Sequence, residues 1–336
     1  MLQRRDFYAD PTEHDPLSDV LSTLRVSGAV VLDEAYAAPW AVAVPAAPVL
    51  AQLARPARAE RGIAFHIARS GWFELLQPGL PALTVGPGDL VVCFAPDAHE
   101  LRQGAGATAI PLERLVGAAA PVPQQPTAAL LCGLFCLRHL DLLQIGAALP
   151  DRVHIPAERA TPDTGLSAVV SLLIGETRHR APGRSMAIAR LLELLCLHTL
   201  RHAITHIHHI DDGPPDWLRA LRDPAVHTAV RAIHADPAAA WTVDRLGVAA
   251  HLSASRLTAR FRVALGESPM SYLTRWRMIM AADLLSDTDR PVERVADAVG
   301  YRNPAAFTRA FHRWWGSTPR HWRERDRSGT GTRDRR

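Results

Sequence analysis

The chain has 336 residues, 48% of them apolar, which is enough for two or three domains with buried cores. No run of eighteen or more residues is free of charges and turn formers, so a membrane-spanning helix is not expected. No apolar run follows Arg4-Arg5, so no secretory signal is expected either. The four cysteines (Cys93, Cys132, Cys136 and Cys196) make neither a metal knuckle nor a C-x-x-C motif, and they read as free thiols of a reducing cytoplasm. The net charge of +4 is unevenly placed. From Trp217 onward 21 Arg stand against 12 Asp and Glu, a net of +9, while the preceding part carries 17 Arg and 22 acids, a net of −5. Such a basic third is the electrostatic footprint of a polyanion-binding surface.

The first 125 residues alternate short apolar runs with Pro and Gly. Val30-Val31-Leu32, Ile63 to Ile67, Trp72 to Leu76 and Leu90 to Phe94 predict strands, and Ala128 to Phe135 predicts another. Many short strands at close spacing predict a sandwich or barrel. From Leu166 the period changes. Leu166, Val169, Val170, Leu173 and Ile174 fall at helical spacing, as do Ile188, Leu191, Leu192, Leu195 and Thr199 beyond Pro182-Gly183. An antiparallel helix pair with apolar stripes is expected there. Asp211-Asp212-Gly213-Pro214-Pro215 is a strong breaker.

The last third contains a repeat. Val243 aligns with Val292 at an offset of 49, while Phe261, Gly266 and Pro269 align with Phe311, Gly316 and Pro319 at 50. One residue is therefore inserted in the second turn. In the first copy Thr242 is expected to cap a short helix, His251-Leu252 to turn, and Ser253 to cap a second helix ending near Leu265. In the second copy Gly300 turns the chain and Asn303-Pro304 starts the second helix. Leu257, Phe261 and Leu265 form one buried stripe, and Phe307 and Phe311 the other. Pro269 to Leu285 reads as one long helix spacing the two copies. Opposite the stripes lie Ser255, Thr258, Ala259 and Arg262, with Arg256 and Arg260 at the flanks, and Ala305, Thr308, Arg309 and His312, with Arg313 at the edge.

This region resembles the AraC-type family of bacterial transcription regulators. The carrying residues are Ser253 to Phe261, Gly266 to Leu273, Val295 to Tyr301, Phe307 to Phe311 and Gly316 to Pro319. The resemblance implies two helix-turn-helix units whose second helices enter the major groove of double-stranded DNA about one turn, ~34 Å, apart. The first reading face is small at Ser255 and Ala259, which leaves Arg256 and Arg262 most of its contacts. Arg309 is the best single candidate for a bidentate arginine–guanine pair in the second.

Upstream, Gly86-Pro87-Gly88-Asp89-Leu90-Val91-Val92-Cys93 with His99 resembles the second motif of a cupin barrel, and Phe65-His66-Ile67 to Gly71 the end of the first. Asp15 to Leu21, Gly28 to Val30, Cys132 to Phe135 and Trp217 to Pro224 also match AraC-type regulators that carry a cupin sensor. Metal cupins place two His and a Glu on the first motif. Here the Glu slot falls on Ala64 and the His slots near Arg58 to Glu60. No metal or other cofactor and no enzymatic activity are therefore expected, the alternative being a metal-dependent cupin enzyme fused to a DNA-binding domain. His66, Trp72, Cys93 and His99 are the candidate effector-binding residues. Cys132 falls where the resemblance also has Cys and is a candidate redox thiol, a buried inert thiol being the default. His198, His202 and His206 recur along one helix face and read as a solvated stripe, a metal or pH-sensing role being the sharper alternative.

The expected fold class is α+β: a cupin-like β-barrel sensor at 1–160, a helical linker and dimerisation segment at 161–212, an all-α tandem helix-turn-helix domain at 217–325, and a disordered Arg-rich tail at 326–336. The expected function is sequence-specific transcriptional regulation in the cytoplasm by a homodimer. Its expected partners are DNA, a small-molecule or redox effector, and RNA polymerase, with no membrane.

Overall fold

A computed structural model describes residues 26–53, 61–95, 97–117, 123–137, 149–157, 165–179, 181–206 and 223–330. The described residues fall into two compact units, one within 26–206 and one within 223–330. Asp15 to Leu21, most of the Trp217 to Pro224 segment, the 211–215 breaker and the Arg58 to Glu60 slots lie outside the described residues.

The first unit contains two five-stranded sheets. One has the order β1 (Ser27–Tyr36), β9 (Ala128–Leu137), β3 (Arg61–Ser70), β6 (Leu90–Cys93), β10 (Arg152–Ile155). The other runs β5 (Leu83–Val85), β4 (Phe73–Leu76), β7 (His99–Gln103), β2 (Trp40–Val44), β8 (Ile110–Pro111). Two short helices join them, α1 (Ala47–Leu53) and α2 (Leu112–Leu115). One core lies between the sheets: Leu32, Ala64, Ala68, Val91, Leu130 and Leu134 from the first meet Trp40, Val42, Phe73, Leu75 and Leu101 from the second.

The sheets differ in what covers their outer faces. β7 alternates cleanly, with His99, Leu101 and Gln103 buried, while its Arg102 faces outward and pairs with Glu74 of β4 at 3.0 Å. β9 is buried at every position, the pattern of a strand covered on both faces. Its cover is the helix pair α3 (Leu166–Arg178) and α4 (Arg184–His206), of which α4 lies on β1 and β9. A Cβ at Gly28 would meet the Leu192 side chain at 3.1 Å. The helix pair expected to link the domains is thus part of the barrel's own unit. The apolar outer side of β9 (Leu131, Phe135, Leu137) needs a lid, and the stripes of the pair provide it. Phe65 stacks on Phe135 at 4.7 Å in this layer. Gly133 leaves room for that ring, since a Cβ there would strike both Phe65 and the Ala29 carbonyl oxygen.

The second unit is all helix: α5 (Pro224–Ala235), α6 (Val243–Ala249), α7 (Ala254–Leu265), α8 (Pro269–Asp287), α9 (Val292–Ala298), α10 (Pro304–Trp315) and α11 (Pro319–Thr330). The expected caps form. Thr242 accepts from the Arg245 amide and Ser253 from Arg256, while Asn303 accepts from Ala305 and Ala306. His251 takes the left-handed conformation at φ 54° in the first turn and Gly300 at φ 81° in the second. α11 runs to Thr330, which corrects the reading of 326–336 as tail from its first residue. Trp322 anchors that helix to Ser286, and Arg320 pairs with Glu324 one turn on at 2.9 Å, so a polar sequence continues as helix. Residues 331–336 lie outside the described residues.

α8 has 19 residues, about 28 Å of helix. Its first half carries Tyr272 and Trp276, which take the His234 ring of α5 (3.8 Å from Trp276) and Phe261 of α7. Its second half carries Met278, Ala281, Ala282 and Leu285, which pack with Val295, Phe307 and Phe311 of the second copy. Between them Arg277 donates to the Pro237 and Ala239 carbonyls at 2.7 and 2.8 Å and lies over the Tyr301 ring at 5.9 Å. Gly300 sits beneath it. A Cβ there would come within 2.7 Å of the Ala238 carbonyl oxygen and 2.8 Å of Arg277.

Two substitutions test these close approaches. Gly300→Ala combines a left-handed backbone with a backbone clash and should destabilise the helical unit by about 1–3 kcal/mol. Urea unfolding followed by tryptophan fluorescence reads it. Gly133→Ala should overpack the covered sheet and cost about 1–3 kcal/mol, seen as a lower unfolding midpoint with unchanged far-UV circular dichroism at room temperature.

Candidate nucleic-acid interface and the barrel interior

α7 buries Leu257, Phe261, Ala264 and Leu265 and ends at Gly266 in the left-handed conformation. Ser255, Arg256, Ala259 and Arg262 are exposed on the other side, and Thr258 is half-buried. The Thr258 hydroxyl donates back to the Ala254 carbonyl at 2.8 Å, and Ser255 lies 3.2 Å from the capping Ser253 hydroxyl. Two of the small polar groups are thus engaged by their own helix. No described residue pairs with Arg256 or Arg262. Arg260 differs: it pairs with Asp223 at 3.0 Å, and Asp223 also caps α5 through the Ala225 and Val226 amides.

α10 buries Phe307 and Phe311 and exposes Ala305, Arg309, His312 and Arg313, with Thr308 half-buried. An aromatic set holds the helix from behind. Tyr301 meets Phe307 at 5.7 Å, Phe311 meets Trp322 at 5.8 Å, and Trp315 meets Trp322 at 4.6 Å. Trp315 also donates to the Met278 carbonyl of α8 at 3.2 Å. Arg309 has no partner among the described residues. All ten sequence-predicted reading residues thus lie on the two second helices, away from the buried stripes. Two residues that fix those helices, Arg277 and Trp322, were missed. Their signal was an aromatic and an arginine on the polar side of a helix, which spacing alone does not distinguish from a solvated position.

In the barrel, three of the four candidate effector residues come together. His66 of β3, Cys93 of β6 and His99 of β7 place one ligand atom each within 4.8 Å of one another. They are 1%, 2% and 6% exposed. The two imidazoles meet across the sheets, Nε2 to Nε2, at 2.8 Å. His99 Nδ1 lies 3.4 Å from the Asp97 carbonyl, a group that only accepts, so His99 Nδ1 is the donor. His99 Nε2 is then the acceptor from His66, and His66 Nδ1 is left buried without a partner among the described residues. Burial, and then the facing His99, hold His66 well below the usual histidine range. Burial likewise brings His99 down to about 4, against the Asp97 hydrogen bond. Both rings are neutral at pH 7. Burial pushes the Cys93 thiol up to about 12, against an opposing pull from Arg152.

Trp72 is the exception. It is 44% exposed, while its neighbour Phe73 is fully buried. Trp72 lies just before β4 at the surface, apart from the buried three. Cys132 lies opposite His66 in register. Burial, then Asp33 and Cys93, push its thiol upward against Arg69. Such a setting argues against a reactive thiol. Ala64, in the Glu slot of the first cupin motif, faces Cys93 across the strands. The usual two-His-and-Glu metal set therefore does not fit. Asp89 of the second motif is a brace. Burial works to raise its pKa, but hydrogen bonds from the Ala157 and Gly86 amides and from His154, at 2.9 Å each, hold its carboxylate below the ordinary range. On α4, His198 lies against Gly165. The His206 side chain lies outside the described residues.

A cupin family model matches residues 15–205 and a helix-turn-helix domain model residues 246–325. A putative AraC-like transcription regulator of Streptomyces lividans is 29% identical over 317 residues, covering 92% of this chain and 98% of that protein. The HTH-type transcriptional regulator AlkR of Acinetobacter baylyi is 33% identical over 197 residues, 57% of this chain and 63% of that one. Among solved structures, the DNA-binding domain of AdpA in complex with a target DNA is 30% identical with a TM-score of 0.30, covering 32% of this chain and 95% of that one. No helix among the described residues is long and apolar enough to cross a membrane. The chain belongs to the AraC-type family of DNA-binding transcriptional regulators, in the form that carries an N-terminal cupin domain.

Proposed function

We propose that this chain is a regulator whose operator affinity answers to a signal received in the cupin domain. The supporting observation is the coexistence in one chain of two matched reading helices with unpaired, solvent-facing arginines and a barrel with a buried polar cluster. The mechanism is linkage: a ligand favouring one arrangement of the sensor shifts the binding-competent population. A coupling of about 1–3 kcal/mol is enough to change operator affinity 5- to 150-fold. Exposed Leu172, Met186 and Leu194 on the α3–α4 pair support a homodimer formed through that pair.

In the reading itself, Arg309 takes a guanine edge in the major groove, with His312 and Arg313 beside it. Arg256 and Arg262 supply the first unit's contacts. The small, self-engaged face of α7 makes the second unit the stronger reader. Arg309→Ala should therefore relax specificity at one base position by about 1–3 kcal/mol, measured by selection from random-sequence duplexes with wild-type and variant protein. A uniform loss across all sequences would reduce Arg309 to a phosphate contact. Arg260→Ala, whose side chain is held by Asp223, should leave the selected sequence unchanged.

A further inference from the structure

We propose that His66, Cys93 and His99 form a site for a single thiophilic metal ion of the Zn²⁺ and Cu⁺ class, built from a ligand set other than that of the first cupin motif. The geometry is the first argument. Metal–nitrogen bonds of 2.0–2.1 Å and metal–sulfur bonds near 2.3 Å put the donors of a common ion about 3.4–3.8 Å apart. The three donors lie within 4.8 Å of one another, and the imidazole pair stands at 2.8 Å. Opening the rings by about half an ångström and drawing in the thiol brings all three onto one centre, with Zn²⁺-type bond lengths.

The chemistry is the second argument. The set contains two imidazoles and a sulfur and no carboxylate, which suits soft and borderline ions and not Mg²⁺, Ca²⁺ or Mn²⁺. The surroundings are an apolar core, with Ala64, Val91 and Leu101 flanking the three on their own strands and the buried Cys132 opposite His66. Two histidines have no packing task in such an interior that an apolar side chain would not serve better, and His66 Nδ1 is left without a hydrogen-bond partner among the described residues. Among the described residues this is the one group of three such donors. The position of the three donors adds a structural consequence. His66 and Cys93 belong to one sheet and His99 opens β7 of the other, so an ion here ties the two sheets together. The site rests on its ligand geometry and not on which signal the domain reads.

The test uses the full chain, purified under reducing conditions and stripped with a chelator. Titration with Zn²⁺, and anaerobically with Cu⁺, against a competing chromophoric chelator should give one equivalent of tight binding for at least one of them. Loading with Co²⁺ as a spectroscopic probe should produce a thiolate-to-metal charge-transfer band. Cys93→Ala should abolish the band, and His99→Gln should weaken binding by at least about 10–100-fold, the loss seen when even outer groups of metal sites are removed. Cys196→Ser, on α4, should retain both. Circular dichroism establishes that each variant is folded; if Cys93→Ala is not, Cys93→Ser carries the same spectroscopic readout. Absence of stoichiometric uptake of both ions by folded wild-type protein would overturn the proposal. So would a charge-transfer band that survives in the folded Cys93 variant.

Discussion

The reading geometry depends on one constraint: a long helix that belongs equally to two copies of a small motif. Neither copy buries its aromatic stripe alone. Phe261 of the first closes on Tyr272 in the first half of α8, and Phe307 and Phe311 of the second close on Met278 to Leu285 in the other half. Arg277 lies between the two halves, with its guanidinium on carbonyls of the α5–α6 connection that leads into the first copy and over Tyr301 of the second. Charge serves packing here. The arginine donates to the Pro237 and Ala239 carbonyls, and its guanidinium lies over an aromatic ring. The result is two second helices whose exposed faces are fixed relative to each other, as the proposed reading of two successive major-groove segments requires.

The cupin domain solves a different problem. One sheet is apolar on both faces, so it needs the core on one side and a helical lid on the other. The α3–α4 pair is that lid, which gives its apolar stripes a structural role before any role between protomers. The inner face then holds a polar group of three that packing alone does not demand. Asp89 braces the turn before β6 through two amides and His154; Cys93 ends that strand and His99 opens β7.

Much of the helical unit was legible in the sequence because its signals are local. Caps, left-handed turns and four-residue stripes are written within a few positions of one another, and the 49-then-50 offset places the inserted residue in the second turn, where the structure has it. The barrel strands were legible for the same reason. The packing between distant segments was not. Nothing near Arg277 in the chain indicates that its partners are Pro237, Ala239 and Tyr301. The meeting of His66 with His99 needs the register of three strands and the facing of two sheets. His66 could be placed inside by alternation, but Trp72 could not be placed outside until the strand was seen to begin at Phe73. The helical continuation to Thr330 was hidden by composition, because an arginine-rich stretch reads alike as tail and as solvated helix.

The central claim is that two fixed reading helices engage one face of the duplex. Its most direct measurement is affinity for a selected operator into which five base pairs, about half a helical turn, are inserted between the two contacted segments. A rigid pair predicts loss of most of the specific affinity, and no recovery when ten base pairs are inserted, because a fixed separation lets only one copy be engaged in either operator. Equal affinity for the native and the five-base-pair operators would contradict it, since that would require the two copies to move independently of α8.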